Sequence, residues 1–283
     1  MDAAAPARPV GFVSEIMIEA INLNIHLGRK HIVKNVNFQA HPGAVTAIIG
    51  QNGSGKTTLL RALSGEFART NTVSINGTNL AKMSELDLAK IRAVLPQSTN
   101  LTFPFTVHEV VKLGAINGPR LTKDWKSDLT NRALNAVGLG DYGNRFFQEL
   151  SGGEQQRVQM ARVLAQVWEP KTNGAPRWLF LDEPVSSLDL KHQISIMNIA
   201  KNFANQGGGV IAVMHDLNLT AMYADKVYVM QQGVALANGA SENVLTNDIL
   251  SRAYECEFEV STVPTSDRPY VLPHSVVIDG FAA

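Results

Sequence analysis

Residues 44–60 read Ala-Val-Thr-Ala-Ile-Ile-Gly-Gln-Asn-Gly-Ser-Gly-Lys-Thr-Thr-Leu-Leu. The first six form a short apolar run, the pattern of a strand buried on both faces. From Gly50 to Thr57 the chain matches GxxxxGK[ST], and Thr57 to Ser64 reads as a helix. A buried strand, a glycine-rich loop and a helix in that order are the setting in which this spacing cradles a polyphosphate. Glycines let the backbone curl with its N–H groups pointing inward, and the helix adds its positive end. The candidate phosphate-binding residues are Gly50, Gln51, Asn52, Gly53, Ser54, Gly55, Lys56, Thr57 and Thr58. Lys56 has the reach for the β- and γ-phosphates, and the Thr57 hydroxyl suits Mg²⁺.

Outward from this loop the pattern alternates. Towards the N-terminus, 16–39 reads as two strands around a turn at Gly28-Arg29-Lys30, with a second turn at His41-Pro42-Gly43. Towards the C-terminus come short strands near Thr72–Ile75 and Ala93–Leu95, with a helix over Ser84–Ile91 between them. Residues 106–164 are mainly helical, with breaks at Gly118-Pro119 and around Gly138–Gly143, and read as a lobe inserted into the first. Strands at Trp178–Leu181, Val210–Met214 and Val227–Met230, with a helix over Leu190–Gln206, restore the α/β alternation. The tail from Ser241 begins helical and ends proline-rich.

Composition narrows the class. Of 283 residues, 45% are hydrophobic and 18% charged, which suits a globular chain rather than a disordered one. Lys and Arg number 25, as do Asp and Glu; this neutral balance disfavours a nucleic-acid partner. A single cysteine, Cys256, excludes a disulfide within the chain, fits a reducing compartment, and reads as a small packing residue. No apolar run reaches the roughly 18 residues a membrane span needs. Residues 1–15 read as a flexible tail without a signal-peptide core. Any link to a membrane is therefore expected through a partner.

A second constellation completes the first. Trp178-Leu179-Phe180-Leu181-Asp182-Glu183 is an apolar strand ending in two carboxylates, whose side chains should diverge. An Asp so placed beside a phosphate loop holds Mg²⁺, leaving the adjacent Glu to polarise an attacking water. Four further stretches follow. Leu150-Ser151-Gly152-Gly153-Glu154-Gln155-Gln156-Arg157 opens a helix, so Ser151 and the helix N–H groups make a second anion site, or else a plain capping box with Glu154. Gln97 follows a strand, Ser186-Ser187-Leu188-Asp189 starts a helix, and His215 ends a strand.

Taken in this order, phosphate loop, Gln97, signature, acidic pair, Ser186–Asp189 and His215, the chain resembles the ABC transporter ATPases from about residue 16 to residue 239. The resemblance implies an α/β fold: a RecA-like P-loop NTPase core, an antiparallel β subdomain and an inserted α-helical subdomain. It implies core and β subdomain at 16–97 and 160–240, a helical subdomain at about 98–159, and a C-terminal extension at 241–283 packed on the core. It implies ATP and Mg²⁺ as cofactors, Glu183, His215 and Gln97 as catalytic residues, and Thr57, Gln97 and Asp182 around the metal. Ser151, Gly152, Gly153 and Asp189 would meet the nucleotide held by a second copy, making a homodimer.

Some stretches resemble the ATPases of bacterial haem importers in particular: Arg92 to Gln97, Phe103 to Val107 with Glu109 and Leu113-Gly114, Ala161 to Gln166, Leu188 to Leu190 with His192-Gln193, and a polar insertion at Glu169–Arg177. That likeness implies uptake of haem through two copies of a membrane permease at the cytoplasmic face of the inner membrane. A periplasmic solute-binding protein would act indirectly, and no nucleic acid would be bound. Siderophore and cobalamin importers share much of this pattern and are the alternative. The segment after Gln97 would form the groove for the permease, or else pack the helical lobe internally. Two departures stand out. Gln51 replaces the commoner proline, and Leu27 occupies the position where an aromatic residue usually stacks on adenine, leaving Leu27, His26 or His31 for that contact. A DNA-repair or ribosome-acting ATPase would carry long coiled coils or two ATPase units, and a non-catalytic module would lack Glu183 and His215.

Overall fold

The computed structural model describes residues 17–67, 71–98, 101–115, 123–264 and 269–276. The flexible tail expected at 1–15 and the break expected at Gly118-Pro119 lie outside them. In chain order the elements are β1 (Ile18–Leu27), β2 (Lys30–Ala40), β3 (Val45–Ile49), α1 (Lys56–Leu63), β4 (Val73–Ile75), β5 (Thr78–Asn79), α2 (Glu85–Ile91) and β6 (Arg92–Leu95). Three helices follow: α3 (Val107–Gly114), α4 (Lys123–Ala136) and α5 (Gly152–Gln166). Then come β7 (Lys171–Thr172), β8 (Ala175–Pro176), β9 (Trp178–Asp182), α6 (Leu190–Asn205), β10 (Gly209–Val213), α7 (Leu217–Tyr223), β11 (Lys226–Gln231), β12 (Val234–Ala240), α8 (Ser241–Val244) and α9 (Asn247–Tyr254).

Two sheets organise the molecule. Six strands run in the order β12-β11-β3-β10-β9-β6, parallel except for β12, which pairs antiparallel with β11. Four strands form an antiparallel sheet in the order β2-β1-β4-β5. Strands β3, β9 and β10 are buried on both faces, which is why their sequences are nearly all apolar. Alternation then sends neighbours to opposite cores. Leu179, Leu181, Val210 and Ala212 join the core shared with α3, α4, α5 and α6. Trp178, Phe180, Ile211 and Val213 join the core shared with α1 and the antiparallel sheet.

Helix starts follow from local chemistry. Thr106 and Ser151 each cap a helix and close a capping box, with Glu109 and Glu154 respectively. Asp189 caps α6 by accepting from the His192 N–H at 2.9 Å. Helix α5 runs unbroken through residue 159, so the subdomain division drawn from the sequence falls inside one helix. The polar insertion at 169–177 contains the small hairpin β7–β8, turning at Asn173-Gly174 with φ of 51° and 80°. Cys256 corrects the packing expectation: it is exposed. Helix α9 ends at Glu255 in the left-handed region, φ 58°, and the chain then folds back so that the Phe258 N–H donates to the Ser251 hydroxyl at 2.9 Å.

Candidate active site

The phosphate loop connects β3 to α1, and its backbone conformation is enforced by its neighbours. Gly50 has φ 140°, and a Cβ there would sit 2.1 Å from the Met230 carbonyl oxygen. The next strand over in the sheet, β11, therefore fixes where the loop begins. The Ser54 carbonyl accepts from the Gly233 N–H at 3.0 Å, while the Ser54 hydroxyl is buried without a hydrogen-bond partner. The Lys56 ammonium folds back onto the loop, donating to the carbonyls of Gly50 at 2.9 Å and Gln51 at 3.0 Å. Burial pulls Lys56 below its ordinary pKa, with Glu183 and Asp182 opposing it.

Parallel pairing of β3, β10 and β9 brings three distant strand ends to one edge. Asp182, at the end of β9, accepts from the Thr57 hydroxyl at 3.0 Å. Burial raises its pKa most, the Thr57 bond acts against this, and the neighbouring Glu183 adds to it. Glu183 is the first residue past the strand, with a left-handed backbone, φ 51°. One oxygen accepts from Gln97 Nε2 at 2.9 Å, and the other lies 2.5 Å from His215 Nε2. Gln97 follows β6 and His215 follows β10, so both carboxylate oxygens are held by residues at neighbouring strand ends.

These side chains border a cavity of about 750 Å³. Asn52, Gly53, Gly55, Lys56, Thr57 and Thr58 line one side, and Gln97, Glu183, Ser186 and His215 the other. Leu27 and Ile32, from the antiparallel sheet, close a third side. His26 and His31 do not line it; their rings stack on each other with centroids 4.0 Å apart. Ser151, Gly152, Gly153 and Asp189 do not line it either. The Ser151 N–H donates to the Glu154 carboxylate at 2.8 Å, as the capping-box reading expected, and the Ser151 hydroxyl donates to the same oxygen at 2.8 Å. Ile32 and Ser186 escaped the sequence reading: Ile32 carries no chemical signature, and Ser186 sat in a motif valued for Asp189.

The hard-oxygen pair Thr57 and Asp182, 3.0 Å apart, suits Mg²⁺ in the way such ions are held beside phosphates. Among the described residues no group of three or more His, Cys, Asp or Glu side chains could hold a metal alone. A metal here would need phosphate oxygens and water to complete its shell.

Comparison with known proteins agrees with this geometry. A family model described as ABC transporter matches residues 33–186. The hemin import ATP-binding protein HmuV of Mesorhizobium japonicum is 54% identical over 92% of this chain and 100% of its own. HmuV of Roseobacter denitrificans is 53% identical over 91% of this chain and 98% of its own. A solved dimeric ATP-binding cassette in a post-hydrolysis state, bound to ADP and Pi, superposes with a TM-score of 0.69 at 26% identity, covering 80% of this chain and 99% of that one. With the loop, the acidic strand end and the six-stranded sheet in place, the chain belongs to the ABC transporter family, as one of its ATP-binding subunits.

Proposed function

We propose that the chain hydrolyses MgATP as a homodimer and that this cycle powers haem import through a separate membrane permease. The observation that carries the reading is a division of labour. Lys56, Thr57, Gln97, Glu183 and His215 converge on one cavity, while Ser151, Gly153 and Asp189 of the same chain stay outside it. Each cavity then lacks one wall, which a second copy supplies. The solved relative in dimeric form supports this arrangement, and the names of the curated relatives support haem as the cargo.

The chemistry follows from positions. ATP enters with its adenine against Leu27 and Ile32 and its phosphates on the loop. Lys56 leaves the Gly50 and Gln51 carbonyls for the β- and γ-phosphates, which adds charge where the leaving group develops it. Thr57 and Asp182 would hold Mg²⁺, which neutralises phosphate charge, with Gln97 turned towards it. Glu183 accepts the proton of the attacking water. His215 keeps the carboxylate aimed and reaches the γ-phosphate. Ser151, Gly152 and Gly153 of the partner, at the positive end of α5, close the pocket. Ser151 gives up its Glu154 bond to do so. Asp189 crosses with them. We further propose the subdomain limits given above, the one at 159/160 cutting across α5, with the groove past Gln97 receiving the permease; Phe103 there is 70% exposed.

Glu183→Gln tests the reading. It keeps the hydrogen-bonding shape and removes the base, so turnover should fall at least about 100-fold. ATP binding should persist, and ATP should trap a dimer visible by size-exclusion chromatography. Normal hydrolysis in this variant overturns the role of Glu183. For the cargo, the ATPase rate is measured with the permease in lipid vesicles; haem-loaded solute-binding protein should raise it, and an iron-chelate or cobalamin load should not.

A further inference from the structure

One amide side chain ties the signature helix to the water-activating carboxylate of the same chain. Gln156, in the second turn of α5, donates from Nε2 to the Glu183 backbone carbonyl at 3.0 Å. Its Oε1 accepts from the Ser187 hydroxyl. Beside it the two turns are in close contact: a Cβ on Gly153 would lie 3.2 Å from the Ser187 carbonyl oxygen and 3.4 Å from the Leu188 side chain. At Gly153 the start of α5 thus packs closely on Ser187 and Leu188, and Gln156 cross-bonds the two segments. Glu183 needs such support. Its left-handed backbone, φ 51°, is costly for a non-glycine residue and persists only where surroundings hold it. The Glu183 N–H donates to the Val213 carbonyl at 3.2 Å, and the Glu183 carbonyl also accepts from Ser186 Oγ at 3.3 Å. Among the described residues, Gln156 is the one hydrogen-bonding support of Glu183 that comes from the helical lobe. A crevice of about 220 Å³ bordered by Pro96, Gln97, Gln156 and Ser187 leaves this junction space to shift.

The consequence rests on the ATPase reading above. There, Ser151 of a chain serves the nucleotide held by its partner, whereas Glu183 serves the nucleotide held by its own chain. Gln156 joins the two within one polypeptide. We propose that Gln156 is a positioning residue that couples the two sites of the dimer: seating of the Ser151 turn on the partner's ATP sets the Glu183 carboxylate against the chain's own ATP. The link is mechanical, a hydrogen-bonded contact between two elements with separate duties.

Steady-state ATPase measurements on the full chain, with rate followed against ATP concentration, test this. Gln156→Glu keeps the acceptor for Ser187 and puts an oxygen where the donor to the Glu183 carbonyl stood. Gln156→Ala removes both bonds. In each, kcat should fall about tenfold, the loss of one to two hydrogen bonds at the reacting geometry. The Hill coefficient should drop from above 1 to 1. Affinity for a fluorescent ATP analogue should change by less than about twofold, which a general loss of structure would not allow. Ser187→Ala should lower kcat by a smaller factor, and adding it to Gln156→Ala should lower kcat no further. If the Gln156 variants do not fold, Ser187→Ala alone carries the prediction of reduced kcat and cooperativity. A wild-type Hill coefficient of 1, unchanged kcat in the variants, or a rise in KM with kcat intact overturns the proposal. Failure of the ATPase reading looks different: wild type would release no phosphate, or Lys56→Ala would be as fast as wild type.

Discussion

At the scale of single residues, the site depends on atoms that are crowded or committed. Gly50 is the clearest case of crowding. Replacing it by Ala drives a Cβ into the Met230 carbonyl and forces an unfavourable φ, so Gly50→Ala should cost roughly 2–4 kcal/mol of stability, read as a shift in the urea midpoint. Glu154 shows commitment. Hydrogen bonds from the Ser151 hydroxyl, then from its N–H, hold the Glu154 carboxyl below the usual carboxylate range. A lowered carboxylate pKa contributes stability that is present above the unfolded value and lost as pH falls through the folded one. Because the carboxylate is almost fully solvated, the contribution is small. Thermal melts of Glu154→Gln should therefore lose less stability than wild type as pH falls below about 4; identical acid dependence would show that the carboxylate bonds contribute nothing. Leu27, one of three candidates the sequence left open, lines the cavity, and so does Ile32, which the sequence did not single out because an isoleucine looks the same in a core and in a cavity wall.

At the scale of elements, the long apolar strands and capped helices were plain in the sequence, and the short polar strands were not. Strands β3, β9, β10 and β11 announce themselves through unbroken apolar runs. Strands β7 and β8 have two residues each, too few for any periodicity, although Asn173-Gly174 is a strong hairpin signal. Strand β12 reads Val-Ala-Leu-Ala-Asn-Gly-Ala, small residues with half-buried faces, and carries little pattern. Trp178 joins two elements. It is fully buried, its Nε1 donates to the Asn76 side chain at 2.9 Å, and Gly209 leaves room for its ring. Trp178→Phe should cost about 2–3 kcal/mol, the sum of a cavity and an unpaired Asn76 oxygen. Asn76→Ala should recover about 1 kcal/mol of that cost in the double variant, a coupling that denaturant titration of the four proteins measures. The α3 cap is simpler: Thr106→Ala should cost about 1 kcal/mol.

At the scale of the whole molecule, the incomplete cavity makes a sharp prediction. On the proposed homodimer reading, Lys56→Ala should disable the site a chain builds for itself, and Ser151→Arg the site it lends to its partner. Each variant alone should be inactive. Mixed in equal amounts, half the dimers pair one of each and hold one intact site, so the mixture should recover about a quarter of wild-type activity, less any loss of coupling between sites. No recovery in the phosphate-release assay would rule out sites shared between two chains. The same symmetry argues that the rate per chain should rise with protein concentration until dimers saturate.

The sequence by itself determined the local chemistry: a strand, loop and helix that hold phosphate, an acidic strand end, capped helices, and the family these motifs mark. Each of those features is written within a few consecutive residues, where backbone geometry alone dictates neighbours. Only the tertiary structure decided that Gln97, Glu183 and His215 meet, that Leu27 and Ile32 rather than His26 and His31 close the cavity, and that Gln156 bridges α5 to Glu183. The physical reason is strand order. Strands β6, β9, β10 and β3 are far apart along the chain yet adjacent in the sheet. That order is set by burying both faces of the sheet at once, a condition on the whole chain that no short window of residues contains.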